Sequence, residues 1–208
     1  MKDFLKNLNL SQQEAVRHPE GPALVIAGAG SGKTTVLTYR ISYLLRSGVD
    51  PRNILAVTFT NKAAGEMKER VQKMVGLDKD LWIGTFHSIC LRILRKDIDM
   101  LGYRGDFMIY DDDDQRSLIE LCLKELSIED KEFKPQAVQA RISRAKSRLV
   151  WPEEFLKERE TFRDTIVGRI YDLYQKKLKG CNALDFDDLI GLTVKLFMEH
   201  PRVLEEYQ

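Results

Sequence analysis

The sequence predicts an α/β fold with a parallel sheet and helices on both faces, followed by a mostly helical part. Three observations carry this expectation. Short apolar runs alternate with helical patterns over the first hundred residues. A glycine-rich turn links the first apolar run to the first long helical pattern. After Tyr110 the strand-like runs nearly vanish and helical periodicity takes over.

Taken in order, Ser11-Gln12-Gln13-Glu14 has capping-box spacing, so a helix is expected near Gln12. Pro22 to Ala27 reads as a buried strand. A helix from about Gly32 to Arg46 follows the glycine turn, and Gly48 ends it. Ile54 to Phe59 is a second buried strand. Asn61 opens a helix to about Val75, closed by Gly76. Leu81 to Thr85 is a third strand, with a helix from Phe86 to about Ile98. Beyond Tyr110, residues 113–126, 135–147, 152–178, 186–199 and 201–207 read as helical. Pro135 and Pro152 suit first-turn positions.

Composition narrows the function classes. The 208 residues are 43% hydrophobic and 31% charged, a balance that excludes disordered, collagenous and disulfide-rich chains. No apolar run approaches a membrane span, and MKDFLKNLNLSQQ has no signal-peptide core. Net charge is +1, but residues 1–100 carry 15 basic and 10 acidic side chains against 18 and 22 in residues 101–208. Nucleic-acid binding therefore has to rest on local patches rather than on net charge. Cys90, Cys122 and Cys181 lack metal or disulfide spacing and are expected as buried reduced thiols in a cytoplasmic protein. His18, His87 and His200 have no metal-ligand spacing.

The strongest chemical signal is Ala27-Gly28-Ala29-Gly30-Ser31-Gly32-Lys33-Thr34. Small residues let successive N–H groups turn around a phosphate, and a helix N-terminus adds partial positive charge. Lys33 suits the β- and γ-phosphates, and the Thr34 hydroxyl suits Mg²⁺. Gln12 has an amide able to pair with adenine.

Two further junctions share the strand-end position where α/β folds bind ligands. Thr58 to Ala64 offers Phe59 for stacking with Thr60, Asn61 and Lys62 for phosphate, or equally a plain helix cap with Phe59 in the core. Gly84-Thr85-Phe86-His87-Ser88 is its counterpart on the third strand.

Three other stretches read two ways. Phe107 to Asp112 looks like a strand ending in a metal-anchoring Asp111, or like Asp111 to Asp114 capping a helix. Lys134, Arg141, Arg144, Lys146 and Arg148 form a basic run, with Arg141, Arg144 and Arg148 on one helical face. That face suits phosphates or plain water. Asp185 and Asp188 have capping-box spacing, which makes helix initiation a plainer account than a metal site.

Taken together, these stretches resemble the start of a UvrD/PcrA/Rep-type superfamily 1 DNA helicase. Leu8-Asn9-x-x-Gln12-x-x-Ala15-Val16 is similar to that family's Q motif, Ala27 to Thr34 to motif I, and Thr58 to Ala64 with Glu66-Met67 to motif Ia. Gly84 to Ser88 resembles motif Ib, and Leu184 to Ile190 the LDFDDL stretch before motif II. The resemblance implies a P-loop NTPase (RecA-like) domain over residues 1–110, an inserted helical subdomain over 111–190, and a return helix over 191–208.

It also implies roles. Gln12 would read adenine. Gly28, Ala29, Gly30, Ser31, Gly32, Lys33, Thr34 and Thr35 would hold ATP and Mg²⁺. Phe59, Thr60, Asn61, Lys62, Thr85, Phe86 and His87 would line a single-stranded DNA track, and the basic run would face the duplex junction. The implied parent is an ATP-driven 3′-to-5′ helicase of DNA repair or replication.

Two departures stand out. Thr35 replaces a common Arg, and the DExxD motif II, the later motifs and the second RecA-like domain are absent. The chain alone is therefore expected to bind nucleotide weakly, to hydrolyse it negligibly and to expose an unpaired sheet edge. Competing readings are a complete small P-loop kinase anchored by Asp111, and a non-catalytic regulatory module.

Overall fold

The computed structural model describes residues 2–76, 81–129, 133–157 and 161–208. The chain is mixed α/β and mostly helical, with two small parallel sheets among the described residues. It divides into two compact units, Met1–Ile89 and Cys90–Gln208, with the division falling inside a helix. No helix is long and apolar enough to cross a membrane among the described residues.

The first unit begins with a short 3-10 turn, Lys2–Leu5, and helix α1, Leu10–Arg17. The cap of α1 is Asn9, two residues before the Ser11 expected from sequence. Asn9 and Gln12 form the reciprocal box, so Gln12 is the third helical residue rather than the first. Leu5, Leu8 and Val16 bury against Val36, Tyr39 and Tyr43 of the next helix, α2, Lys33–Arg46.

Strand β1, Leu55–Thr58, pairs in parallel with β2, Trp82–Thr85, placing Ala56 opposite Ile83 and Thr58 opposite Thr85. Helix α3, Asn61–Val75, runs between them and ends at Gly76. Ile41 and Leu45 of α2, Met67 and Val71 of α3, and Ile54 and Leu81 beside the strands make one buried cluster. Leu55 is exposed, so β1 is not buried on both faces as its apolar run suggested.

The largest correction lies at residues 22–27. The expected buried strand is an irregular segment, with Leu24 87% and Ile26 90% exposed. An apolar run becomes a strand only when a neighbour completes its ladder. Among the described residues this segment has none.

Helix α4, Phe86–Asp97, carries the chain into the second unit. There β3, Met108–Ile109, pairs in parallel with β4, Ala183–Leu184, a ladder the sequence reading missed. Between them lie α5, Asp112–Glu125, α6, Pro135–Lys146, α7, Pro152–Lys157, and α8, Phe162–Gly180. Ile119, Cys122, Val138, Ile142, Ile170, Tyr171 and Tyr174 bury among these helices. After β4 come α9, Phe186–Glu199, and α10, Pro201–Glu205.

The single helix expected over 152–178 is two helices. Thr161 and Asp164 form a capping box that starts α8 afresh, and residues 158–160 lie outside the described residues. The three cysteines are free, but only Cys122 is buried; Cys90 is half-buried and Cys181 is exposed at the end of α8. The expectation of three buried thiols fails at Cys181 because a C-cap projects from the helix packing rather than into it.

Candidate functional site

The phosphate loop is built by two left-handed glycines and one returning lysine. Gly30 and Gly32 have φ of 74° and 85°, a region open to glycine without strain. Gly32 is the N-cap of α2, and its carbonyl accepts from the Val36 N–H at 2.9 Å. Ser31 closes the turn, its hydroxyl donating to the Gly28 carbonyl at 2.7 Å. The Lys33 ammonium folds over the loop and donates to the carbonyls of Ala27 at 3.1 Å and Gly28 at 2.6 Å. The first turn of α2 contains no acidic side chain, so no carboxylate there offsets the positive end of the helix dipole.

Gln12 reaches this loop from α1. Its side-chain Nε2 donates to the Ser31 carbonyl at 3.0 Å, while its Oε1 accepts from the Asn9 N–H at 3.0 Å. The same nitrogen sits 3.0 Å from where a Cβ on Gly32 would lie, so a larger residue there would crowd the Gln12 amide as well as strain the left-handed backbone. An amide has two donors and two acceptor lone pairs. One of each remains for a ligand.

The two strand-end junctions lie side by side, because the β1–β2 register sets Thr58 opposite Thr85. Thr60 caps α3 by accepting from the Ala63 N–H at 3.2 Å. Thr85 is buried, its hydroxyl 3.4 Å from the Asn61 side-chain oxygen, which ties the two junctions together. The Ser88 hydroxyl accepts from the Thr85 N–H at 2.8 Å. A Cβ on Gly84 would lie 2.4 Å from that hydroxyl, so this turn needs glycine. Phe59 is 95% exposed and Phe86 about half exposed. Thr60, Asn61, Lys62 and His87 are exposed beside them. Aromatic faces among amide and ammonium donors at the carboxyl ends of parallel strands can stack bases and hold phosphates.

In the second unit Asp111 is occupied as a cap. Its carboxylate accepts from the N–H groups of Asp113 and Asp114, each at 2.9 Å, and Asp114 returns the bond to the Asp111 N–H. No group of three or more metal-ligating side chains gathers among the described residues.

The basic run is smaller than its sequence suggests. Arg141 pairs with Asp164. The Lys146 side chain is 1% exposed and contacts Asp185 at 2.6 Å and Asp188 at 2.7 Å. Arg144 and Arg148 remain exposed, with Lys134 at the cap of α6.

Tyr174 donates to Asp185 at 2.9 Å, and Gln175 donates to Asp188 at 3.2 Å. Asp185 and Asp188 also form the capping box of α9, so the helix-initiation reading holds and is extended by a buried ion cluster. Burial drives the Asp188 carboxyl up to about 6, against the pull of Lys146 and with a push from Asp185. Burial drives the Lys146 ammonium down, but Asp188 and Asp185 together outweigh it and hold its pKa above that of a free lysine.

Sequence reasoning missed Asn9 and Ser31 as the anchors of Gln12, although the Asn9–Gln12 spacing is a readable capping signal. It also missed the Lys146 cluster, whose members stand 39 and 42 residues apart.

The UvrD/REP helicase N-terminal domain matches residues 8–208 of this chain. The ATP-dependent DNA helicase PcrA of Bacillus subtilis (strain 168) is 53% identical over 207 residues, covering 99% of this chain and 28% of that protein. The protein of the same name from Staphylococcus epidermidis (strain ATCC 35984) is 50% identical over 210 residues, covering all of this chain and 29% of that protein. The PcrA helicase of Staphylococcus aureus (strain Mu50) gives the same figures. The chain spans less than a third of the length of these relatives. With residues 8–208 spanned by the family's domain and more than half of the chain identical to the Bacillus subtilis relative, the chain belongs to the UvrD/REP helicase family.

Proposed function

We propose that the chain is the N-terminal ATP- and single-stranded-DNA-binding portion of an ATP-dependent 3′-to-5′ DNA helicase acting in repair or replication. The observation that carries this reading is the phosphate loop, with the Lys33 ammonium resting on loop carbonyls and Gln12 braced against Ser31. An ammonium held by weak carbonyl acceptors is ready to exchange them for phosphate oxygens.

In this reading residues 1–110 belong to a RecA-like domain, 111–190 to an inserted helical subdomain, and 191–208 to the return. The β3–β4 ladder supports the insertion, since the chain leaves at Ile109 and comes back beside it at Leu184. Gly28, Ala29, Gly30, Ser31 and Gly32 supply N–H groups to the phosphates, and Lys33 balances their charge. Thr34 offers its hydroxyl to Mg²⁺, Thr35 flanks the nucleotide, and Gln12 reads the base with its spare donor and acceptor. The bound triphosphate supplies the free energy of its hydrolysis.

Phe59 and Phe86 stack bases along the single strand. Thr60, Asn61, Lys62 and His87 hold its backbone, and Thr85 positions Asn61. Arg144 and Arg148 face the duplex junction. The remaining helicase domains are the protein partner. The sequence contains no DExxD, so the second Mg²⁺ anchor and the catalytic acid lie outside these residues. The chain on its own binds ATP weakly and turns it over negligibly.

The test is calorimetric titration of the chain with MgATP, beside a Lys33→Ala variant and a DNA-stimulated ATPase assay. Weak binding lost in the variant, with no turnover, is the expected result. Unchanged affinity in Lys33→Ala, or robust DNA-stimulated hydrolysis, would overturn it.

A further inference from the structure

The second unit holds a cleft of about 390 Å³ that shares no residue with the phosphate loop or the strand-end junctions. Gln175 and Lys179 of α8, Leu192 and Lys195 of α9, Tyr103 and Trp151 line it. Its volume falls in the roughly 300–1,000 Å³ range of small-molecule sites.

One polar demand in this cleft is unmet. The Gln175 amide is oriented by Asp188, to whose two carboxylate oxygens Nε2 donates at 3.2 and 3.3 Å. The other end of the amide, Oε1, is buried and has no hydrogen-bond partner among the described residues. A buried acceptor without a donor is costly, so a ligand that carries an N–H group into the cleft recovers what the fold leaves unsatisfied. The side-chain rotations that commonly accompany binding give the ligand access to it.

Lys179 stands one helical turn beyond Gln175, on the same face of α8. Its ammonium meets a carbonyl rather than a carboxylate, donating to Leu101 at 2.9 Å, and lies 5.0 Å from the Tyr103 ring centroid. An ammonium has three donors, so donors remain for an anion. Lys195 lies 5.2 Å from the Trp151 ring centroid and 3.8 Å from Glu199, too far for a hydrogen bond. Among the described residues, Lys176, Lys179 and Lys195 line the cleft with Glu153, Asp172 and Glu199. Three charges of each sign suit a zwitterion better than a plain anion or cation. Trp151 packs flat on α9, its ring 3.5 Å from where a Gly191 Cβ would lie, and with Met100 and Leu192 it gives the cleft an apolar wall.

We propose that this cleft binds a free α-amino acid with a large apolar side chain. Its ammonium donates to Gln175 Oε1, its carboxylate accepts from Lys179, and its side chain lies against Trp151. An acceptor and a cation one turn apart on a helix match an ammonium and a carboxylate carried on one carbon.

The experiment titrates the 208-residue chain calorimetrically with L-phenylalanine, with L-phenylalaninamide, which lacks the carboxylate, and with N-acetyl-L-phenylalanine, which lacks the ammonium. The proteins are wild type, Lys179→Met and Gln175→Met. L-Phenylalanine is expected to bind wild type and to lose about tenfold in each variant, the scale of one charge-assisted hydrogen bond. Both derivatives should bind wild type more weakly than the free amino acid, and the amide should be indifferent to Lys179→Met. Circular dichroism checks that Gln175→Met folds; if it does not, the exposed Lys179→Met decides alone. Absence of saturable L-phenylalanine binding through the millimolar range, or equal affinity in wild type and Lys179→Met, overturns the proposal. N-Acetyl-L-phenylalanine binding as tightly as the free amino acid overturns it too, and assigns the cleft to the carboxyl end of a peptide.

Discussion

The side-chain amide of Gln12 donates to the Ser31 carbonyl at 3.0 Å, bracing the phosphate loop from α1. Gln12→Ala removes that brace and half of the Asn9 capping box together. A net hydrogen bond is worth about 1 kcal/mol, so MgATP affinity should fall about fivefold. Gln12→Glu keeps the acceptor for the Asn9 N–H, loses the donor, and adds negative charge beside the phosphates; it should bind more weakly still. Equal affinity in all three proteins, measured by calorimetry, would show that the brace is irrelevant to binding.

Among the described residues, Lys146 is the cation that pairs with the two buried carboxylates of Asp185 and Asp188. Lys146→Met leaves Asp185 and Asp188 without a counter-charge, which should cost about 3–5 kcal/mol. Combining it with Asp185→Asn and Asp188→Asn removes the uncompensated charge and should restore much of the loss. Urea denaturation followed by circular dichroism reads both effects. A Lys146→Met protein as stable as wild type would mean the carboxylates do not need the ammonium.

The same cluster sets a pH dependence with an unusual sign for a carboxylate. The folded Asp188 pKa is raised to about 6 by burial, whereas an unfolded aspartate sits near 3.8. The folded state therefore holds a proton more tightly than the unfolded state. Its contribution to stability is fully present below the unfolded value and is lost as pH rises through about 6. Thermal melts from pH 4 to 7.5 should show this contribution in wild type and lose it in Asp188→Asn. Identical pH slopes in the two proteins would exclude it.

Leu24 and Ile26 lie almost fully exposed in an unpaired segment. Such a segment is a template for pairing with another chain. The chain should self-associate at high concentration, and Ile26→Lys should shift it toward monomer in sedimentation velocity. A wild-type sample that stays monomeric throughout would contradict this.

Helices were legible wherever their signals were local. Asp111 with Asp114, and Asp185 with Asp188, are spaced as capping boxes and act as such. Thr161-x-x-Asp164 carries the same signal inside a stretch read as one helix, where uninterrupted periodicity masked it. The turn before α2 was legible because its conformation is written into Gly30 and Gly32 themselves.

The segment from Pro22 to Ala27 was misread for the opposite reason. Its apolarity is local, but burial depends on a neighbour that periodicity cannot reveal. The pairing of Lys146 with two distant aspartates was illegible on the same grounds, and so the basic run looked broader than it is. Exposure of Phe59 beside Asn61 and Lys62 was open in the sequence only as one of two readings; the β1–β2 register resolved where those side chains stand.

The two-rung ladder between β3 and β4 has an architectural consequence. Departure and return of the intervening helices are stapled at Met108–Ala183 and Ile109–Leu184, so the span between these points is the same whatever the excursion's length. Helices can be trimmed, extended or exchanged for another hairpin at that seam without stretching the scaffold, provided the graft keeps a buried lysine for Asp185 and Asp188. Variation in size among homologous chains should accumulate there first, and a reporter module spliced into the excursion would inherit a ready-made pair of closely spaced ends.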